Sequence, residues 1–229
     1  MFDLDGVITP TAELHEHAWA ELFADYGFTQ DDYLTYVDGK PRYDGVRSFL
    51  ASRDVTLPEG DPGDAPGTGT VCAMGNRKND VFNEILERDG IETFPGSQQT
   101  LELLAAIGVP SAIVSSSKNA DTVLRAAGLR ERFDVVIDGV VAADAGLPGK
   151  PAPAAYLLGA ERLGVDPART VVVEDATSGV AAGAAGNFAV VIGVDRGAGV
   201  DELLAHGATF VVGDLSELLD GPDAAGGDR

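Results

Sequence analysis

The chain has 229 residues and a formal net charge of -21, and 45% of its residues are hydrophobic. This length allows one large domain, or a core with a smaller insert, around a buried apolar core. A surface this acidic repels polyanions, which argues against nucleic acid as a partner. No apolar run approaches the ~18 residues of a membrane span, and no signal peptide is visible. A single cysteine, Cys72, excludes an internal disulfide, so we expect a cytoplasmic protein with no membrane partner.

The first third of the chain shows mainly helical patterns. Residues 2–8 form an apolar stretch that ends in acidic residues and a glycine, which predicts a first strand. A helix is predicted over 10–26, where a glycine stops it. Residues 58–70 are rich in Pro, Gly and Asp and predict a loop. Two further helices are predicted at 43–53 and 79–88.

From residue 94 onward, helical patterns alternate with short strands rich in Val, Ile and Ala. The predicted strands are 111–114, 135–137, 170–173, 189–192 and 210–212. The predicted helices are 98–107, 120–127, 152–163 and 179–185. Alternation at this spacing is typical of an α/β protein with a doubly wound parallel sheet and right-handed crossovers.

The helical stretch interrupts this pattern after its first strand, which divides the chain into two predicted domains. Residues 1–11 and 90–220 form the Rossmann-like α/β core, and residues 12–89 form an inserted all-helical cap. Residues 221–229 are small and polar and predict a disordered tail. Only two residues precede Asp3, whereas a strand normally has ~5–6, so we expect the native chain to begin upstream.

Two carboxylates, Asp3 and Asp5, stand where the first strand ends. Side chains two residues apart on a strand share a face, and past the strand's end they can diverge around one reaction centre. Phosphoryl transfer needs a nucleophile and a proton carrier for the alcohol oxygen, which Asp3 and Asp5 can supply. The alternative is a polar exit from the strand, because Asp-Gly is a common turn pair.

Two later segments carry other polar groups that can hold a phosphate. Ser115, Ser116 and Ser117, with Asn119, follow a strand and precede a helix N-terminus, where hydroxyls and amides form an anion site or only cap the helix. Lys150 stands before a proline-rich turn. Its ammonium can hold a phosphoryl oxygen and suppress repulsion between carboxylates, or it can be a solvated loop residue.

Glu174 and Asp175 follow the buried strand at 170–173. Two carboxylates there are costly to bury unless something binds them, and magnesium prefers oxygen ligands; the alternative is an acidic helix N-terminus. All four strand ends of a parallel sheet lie on the same edge, where ligands usually bind. Because four independent accidents are improbable, we predict a phosphotransfer site with magnesium at this edge.

The order of these four motifs resembles that of the haloacid dehalogenase-like superfamily across nearly the whole chain. The resemblance implies an aspartyl-phosphate on Asp3. It also implies a magnesium ion held by the Asp3 carboxylate, the Asp5 backbone carbonyl and Asp175, with Glu174 nearby. An aspartate at position 5 matches the phosphotransferases, because the dehalogenases of the superfamily lack it.

Residues 3–9, 11–19, 77–80, 117–119 and 150–153 are also similar to the β-phosphoglucomutase family. That family interconverts β-D-glucose 1-phosphate and glucose 6-phosphate through an aspartyl-phosphate and a 1,6-bisphosphate. We therefore expect a monomeric isomerase that uses magnesium and acts on a small sugar phosphate.

The resemblance also implies roles for individual residues. Thr11 is then a hinge residue, and His15 positions Asp5 and the sugar. Arg42, three residues after Gly39, grips the distal phosphate from the cap. The remaining implied contacts to phosphate and sugar are Lys78 and Asn79 from the cap, and Ser115, Ser116, Ser117, Asn119 and Lys150 from the core.

Three other functions stay open from the sequence. A hexose-phosphate phosphatase could use the same scaffold. A phosphonoacetaldehyde hydrolase would need a Schiff-base lysine in the cap, for which Lys78 is the candidate. A sugar-phosphate binding module would need no turnover. Pro10 in the hinge and the long loop at 58–70 depart from the family pattern, so the sugar stays open.

Overall fold

A computed structural model describes residues 1–219, and the tail predicted at 221–229 lies outside the described residues. Its centre is one parallel sheet. The N-terminal segment 1–3 lies between β1 and β3 and bridges both through Phe2. β2 pairs with β1 on one side, and β4 and β5 extend the sheet beyond β3 on the other. This order, with the first segment central, is that of a doubly wound fold.

The elements follow the predicted alternation. The strands are β1 (Ala112–Val114), β2 (Val135–Ile137), β3 (Val171–Glu174), β4 (Val190–Val194) and β5 (Phe210–Val212). The helices are α1 (Thr11–Leu22), α2 (Gln30–Asp32), α3 (Arg42–Ala51), α4 (Val71–Asp89), α5 (Pro95–Ala106), α6 (Ala120–Ala126), α7 (Gly139–Asp144), α8 (Ala154–Leu163), α9 (Thr177–Ala185) and α10 (Val200–Ala205). The shorter turns are 3₁₀ helices at Ala24–Tyr26, Arg130–Arg132, Pro167–Arg169 and Leu215–Leu218, and a π-helix at Tyr33–Val37.

The first strand predicted at 2–8 is wrong in extent, because only residues 1–3 pair with the sheet. Phe2 donates its N–H to the Ala112 carbonyl, and Asp3 donates to the Val173 carbonyl, both at 2.9 Å. The chain then turns, and Gly6 adopts a positive φ of 80°. A side chain at this position would overlap the carboxylate of Asp175. This turn therefore brings the segment 3–6 directly against the end of β3.

The helical insert differs from the prediction at several ends. α1 ends at Leu22, and the residues up to Tyr26 form a separate 3₁₀ turn. α4 begins at Val71 rather than at residue 79, because the Thr70 hydroxyl caps it by accepting from the Ala73 N–H at 3.0 Å. The sequence prediction missed the short helical segment 30–37. The loop predicted at 58–70 is confirmed.

Three apolar clusters hold these elements together. One fills the insert and is rich in aromatic rings, with Phe23 and Phe49 4.1 Å apart at its centre. The other two cover the two faces of the sheet. The cluster around Phe2 also takes in Phe82 of α4, so the insert packs continuously against the sheet. Among residues 1–219, no helix has the length and apolarity needed to cross a bilayer.

Candidate active site

The ammonium of Lys150 lies between two buried carboxylates at the carboxyl edge of the sheet. Its Nζ is 2.5 Å from Asp3 Oδ1 and 2.5 Å from Glu174 Oε1. It also donates to the Val114 carbonyl at 3.2 Å, so the ends of three neighbouring strands fix its position. The Tyr156 hydroxyl donates to Glu174 Oε1 at 2.7 Å. Burial raises the pKa of Asp3 well above its ordinary value, and the charge of Lys150 opposes this rise.

Asp175 adds a third carboxylate without a cation of its own. Ligand oxygens of Asp3, Glu174 and Asp175 lie within 4.8 Å of one another. Within residues 1–219, the carboxylate of Asp175 has no hydrogen bond or ion pair, and burial raises its pKa well above its ordinary value. One lysine cannot neutralise three buried carboxylates, so these oxygen ligands fit a divalent cation such as magnesium.

Asp5 lies in a different environment from Asp3. Its carboxylate accepts a hydrogen bond from the Thr11 hydroxyl, and its Oδ1 is 3.4 Å from Nε2 of His15. The Ser115 hydroxyl lies 3.4 Å from Oδ2 of Asp5. Burial alone would raise the pKa of Asp5, but His15 and Thr11 outweigh it and lower the pKa to about 2. The surroundings of the two aspartates therefore shift their pKa values in opposite directions.

The cap face of the site holds a buried lysine beside this histidine. The Lys78 ammonium contacts Nδ1 of His15, and it lies 5.2 Å above the Trp19 ring and 5.1 Å above the Phe82 ring. The His15 ring stacks on Phe82 at 4.3 Å. Burial and the nearby charge of Arg42 lower the pKa of Lys78 to about 7. Burial and the charge of Lys78 likewise lower the pKa of His15.

Hydrogen bonds join the cap to the core at the other side of the cavity. Asn79 Oδ1 accepts from Arg42 Nη2 at 2.7 Å and from Asn119 Nδ2 at 2.6 Å. The Ser116 hydroxyl donates to the Gly39 carbonyl at 2.9 Å. These contacts hold Arg42 of α3, on the cap side, close to the loop after β1, on the core side.

The serine loop after β1 is shaped by its own hydroxyls. Ser115 Oγ accepts from the Ser117 N–H at 3.0 Å, and Ser117 Oγ accepts from the Asn119 N–H at 3.1 Å. Such local bonds hold a loop in the turn that precedes a helix.

Most of the predicted residues line one cavity of about 450 Å³. Thr11 and Asn79 do not line it, and they reach it through their hydrogen bonds to Asp5 and to Arg42. The predicted residues that line it are Asp3, Asp5, His15, Gly39, Arg42, Lys78, Ser115, Ser116, Ser117, Asn119, Lys150, Glu174 and Asp175.

Sequence reasoning did not assign a role to several other lining residues, among them Trp19, Tyr33, Asp38, Tyr43 and Lys118. Lys118 could have been found, because it stands inside the serine motif. Asp38 gave no signal, because a single carboxylate in a loop belongs to no pattern.

A Rossmann-like core with a buried aspartate, a lysine and an acidic pair at its carboxyl edge matches the predicted class, a haloacid dehalogenase-like enzyme. A family model for haloacid dehalogenase-like hydrolases matches residues 1–187, and the chain is an enzyme of that family.

Two curated relatives are similar to this chain over most of its length. The β-phosphoglucomutase of Mycobacterium bovis is 47% identical over 96% of this chain and 90% of its own length. Hexitol phosphatase A of Escherichia coli is 33% identical over 83% of this chain and 80% of its own length. Among solved structures, the β-phosphoglucomutase of Clostridium difficile has a TM-score of 0.77 at 26% identity, covering 95% of this chain and 91% of its own.

Proposed function

We propose that the protein is a β-phosphoglucomutase that interconverts β-D-glucose 1-phosphate and glucose 6-phosphate. One observation carries the proposal. A single cavity has the Asp3–Asp5 pair on its core side and the Arg42 guanidinium on its cap side. A mutase must hold a bisphosphate intermediate, so it needs a second phosphate position besides the reacting one. The 47% identity to a β-phosphoglucomutase over nearly the whole chain supports the same function.

In the first half-reaction, a carboxylate oxygen of Asp3 attacks the phosphorus of the bound phosphate ester. The bond from phosphorus to the sugar oxygen breaks, and Asp5 gives that oxygen a proton. The aspartyl-phosphate on Asp3 then faces the cavity. Lys150 offsets charge on both Asp3 and the phosphoryl oxygens.

In the second half-reaction, the other end of the sugar faces Asp3. The sugar hydroxyl at that end gives its proton to Asp5 and attacks the aspartyl-phosphate. The bond from phosphorus to the Asp3 oxygen then breaks. The low pKa of Asp5, about 2, keeps it ionised in the free site. The proton that Asp5 gives to the leaving oxygen in one half-reaction is therefore the proton that it takes from the sugar hydroxyl in the other. Thr11 and His15 hold its carboxylate in place for both steps.

The Asp3 carboxylate, the Asp5 backbone carbonyl and Asp175 would hold magnesium, with Glu174 beside them. When bound, this ion neutralises charge that develops on the phosphoryl oxygens. Lys150 would keep the carboxylates from repelling one another.

The remaining residues would bind the sugar and the second phosphate. Arg42 would grip the distal phosphate, and the core loop would hold phosphate and sugar. The cap contribution comes from Gly39, Arg42, Lys78 and Asn79, and the core contribution from Ser115, Ser116, Ser117 and Asn119. The same proposal assigns residues 12–89 to the cap and residues 1–11 and 90–220 to the core.

The assay that tests the proposal uses β-glucose 1-phosphate with magnesium and a bisphosphate primer, followed for glucose 6-phosphate and for free phosphate. A mutase forms glucose 6-phosphate with little free phosphate. Steady phosphate release from glucose 6-phosphate would instead identify a phosphatase, which is the activity named for the hexitol phosphatase relative. Binding without turnover would identify a binding module.

A Schiff-base function for Lys78 is tested separately. Its pKa of about 7 leaves much of the amine neutral and nucleophilic near neutral pH. Borohydride trapping of an aldehyde substrate on Lys78 would therefore support a phosphonoacetaldehyde hydrolase, whereas a mutase gives no such adduct.

The monomeric state and the cytoplasmic location stay predictions.

A further inference from the structure

Asp38 is a cap residue that faces the carboxylates of the core. It follows the π-helix Tyr33–Val37 and precedes the segment that carries Arg42. Its side chain lines the same cavity as Asp3, Glu174 and Asp175. The cap thus brings a further carboxylate to an edge that already holds these three and Asp5.

Contacts of the next residue fix where Asp38 sits. The Gly39 carbonyl accepts from Ser116 Oγ at 2.9 Å. A Cβ on Gly39 would lie 2.4 Å from Ser178 Oγ and 3.1 Å from the Ala176 Cβ. Gly39 therefore packs directly against the residue that follows Asp175, and this contact sets Asp38 against the same edge.

Neither Asp38 nor Asp175 has an ion-pair partner in the part of the chain that the structure describes. Lys40 is close in sequence, but it donates to the Tyr36 carbonyl at 2.9 Å and to Ser48 Oγ at 3.0 Å. Asp38 and Asp175 nevertheless line the same cavity. Two carboxylates that share a cavity in this way are stabilised when a cation binds beside them.

We propose that Asp38 accepts a hydrogen bond from a water molecule on the bound magnesium ion and so ties the cap to the metal site. Asp38 is not part of the group of ligand oxygens within 4.8 Å, which consists of Asp3, Glu174 and Asp175. It therefore reaches the ion through water, and magnesium usually keeps several waters. The inference rests on the proposed metal site and not on the identity of the sugar.

The test measures Mg²⁺ binding by titration calorimetry in wild type, Asp38→Asn and a matched control, Asp44→Asn. Asp44 is another cap carboxylate at the cavity, but it pairs with Arg47. Loss of an outer hydrogen-bond partner typically weakens metal affinity about 10- to 100-fold, and we expect this for Asp38→Asn. The control should stay within about threefold of wild type.

The other outcomes are distinct. Equal affinity of Asp38→Asn and wild type overturns the role of Asp38, and so does an equal loss in both variants, which would reflect general charge. Absence of Mg²⁺ binding to the wild type would overturn the proposed metal site itself. The fluorescence of the single tryptophan, Trp19, followed on heating, checks that each variant is folded, and Asp38→Ala replaces Asp38→Asn if that variant is not.

Discussion

The two walls of the cavity carry opposite kinds of buried charge. The core wall gathers the carboxylates Asp3, Glu174 and Asp175 around a single ammonium, Lys150. The pKa values of Asp3 and Asp175 are raised there, chiefly by burial. The cap wall carries the cations Lys78 and Arg42 besides the carboxylate Asp38, and burial lowers the pKa values of both cations.

Neither wall is balanced by itself, and this difference indicates what the cavity binds. Buried charges of one sign destabilise a protein unless a partner offsets them. A divalent cation would complete the core wall, and a second phosphate would complete the cap wall. A sugar bisphosphate with magnesium would satisfy both, so the imbalance reflects function rather than stability.

The largest expected effect is on the core wall, in the variant Asp3→Asn. The amide keeps the shape of the side chain but cannot attack phosphorus. We expect conversion of β-glucose 1-phosphate to fall by roughly 10⁴-fold or more. Asp195→Asn is the matched control, because Asp195 also follows a strand but caps a loop through Gly197 and Gly199. Substantial turnover by folded Asp3→Asn would contradict the mechanism.

The variant Lys150→Met tests the balance of the core wall. It leaves Asp3 and Glu174 buried without their cation, so the free energy of unfolding should fall by about 3–5 kcal/mol. Magnesium should restore part of this loss, because it supplies another cation. Chemical denaturation with and without Mg²⁺ measures both effects. Arg88→Met, which breaks an exposed pair with Asp89, is the control and should change little.

The core wall was predictable from sequence because a parallel sheet converts chain order into position. Each strand that ends in a polar residue delivers it to the same edge, so Asp3, Ser115 and Glu174 could be placed together. The predicted fold is confirmed by the structure, and the family, predicted from the order of the motifs, is confirmed by the family model. The extent of the first strand was not predictable, because the pairing of residues 1–3 depends on β1 and β3, which are far away in sequence.

The cap wall was only partly predictable. Its residues come from loops and helix ends, and their contacts depend on how the insert packs. The bond between Asn79 and Asn119 joins two residues 40 positions apart, and no periodicity indicates it. The start of α4 was missed although Thr70 is a favourable cap residue, because the loop before it obscured the helical pattern.

The variant Arg42→Ala removes a cation of the cap wall. A charge-assisted hydrogen bond to the distal phosphate contributes enough that isomerisation should slow by roughly 10- to 100-fold. Hydrolysis of p-nitrophenyl phosphate, which has no distal phosphate, should change far less. The ratio of the two rates is the measurement. Arg47→Ala on the same helix is the control, since Arg47 pairs with the exposed Glu59. An equal loss in both reactions would argue against a distal phosphate site.

The last prediction concerns the unbalanced charge of Lys78. Its pKa is about 7 in the folded protein and 10.5 ordinarily, so between these values the unfolded chain binds more protons. The free energy of unfolding should therefore rise with pH from 7 to 10.5, by at most about 1.4 kcal/mol per pH unit. Lys78→Met removes this contribution, and denaturation at pH 7, 8 and 9 compares the two slopes.

The control for that comparison is Arg77→Met, which removes an exposed cation from the adjacent position of α4. An arginine does not titrate in this range, so its variant should keep the wild-type slope. Bound glucose bisphosphate should also flatten the wild-type slope, because an anion beside Lys78 favours its protonated form. A wild-type slope equal to that of Lys78→Met would show that folding does not lower the pKa of Lys78. The cap wall would then need no anionic partner.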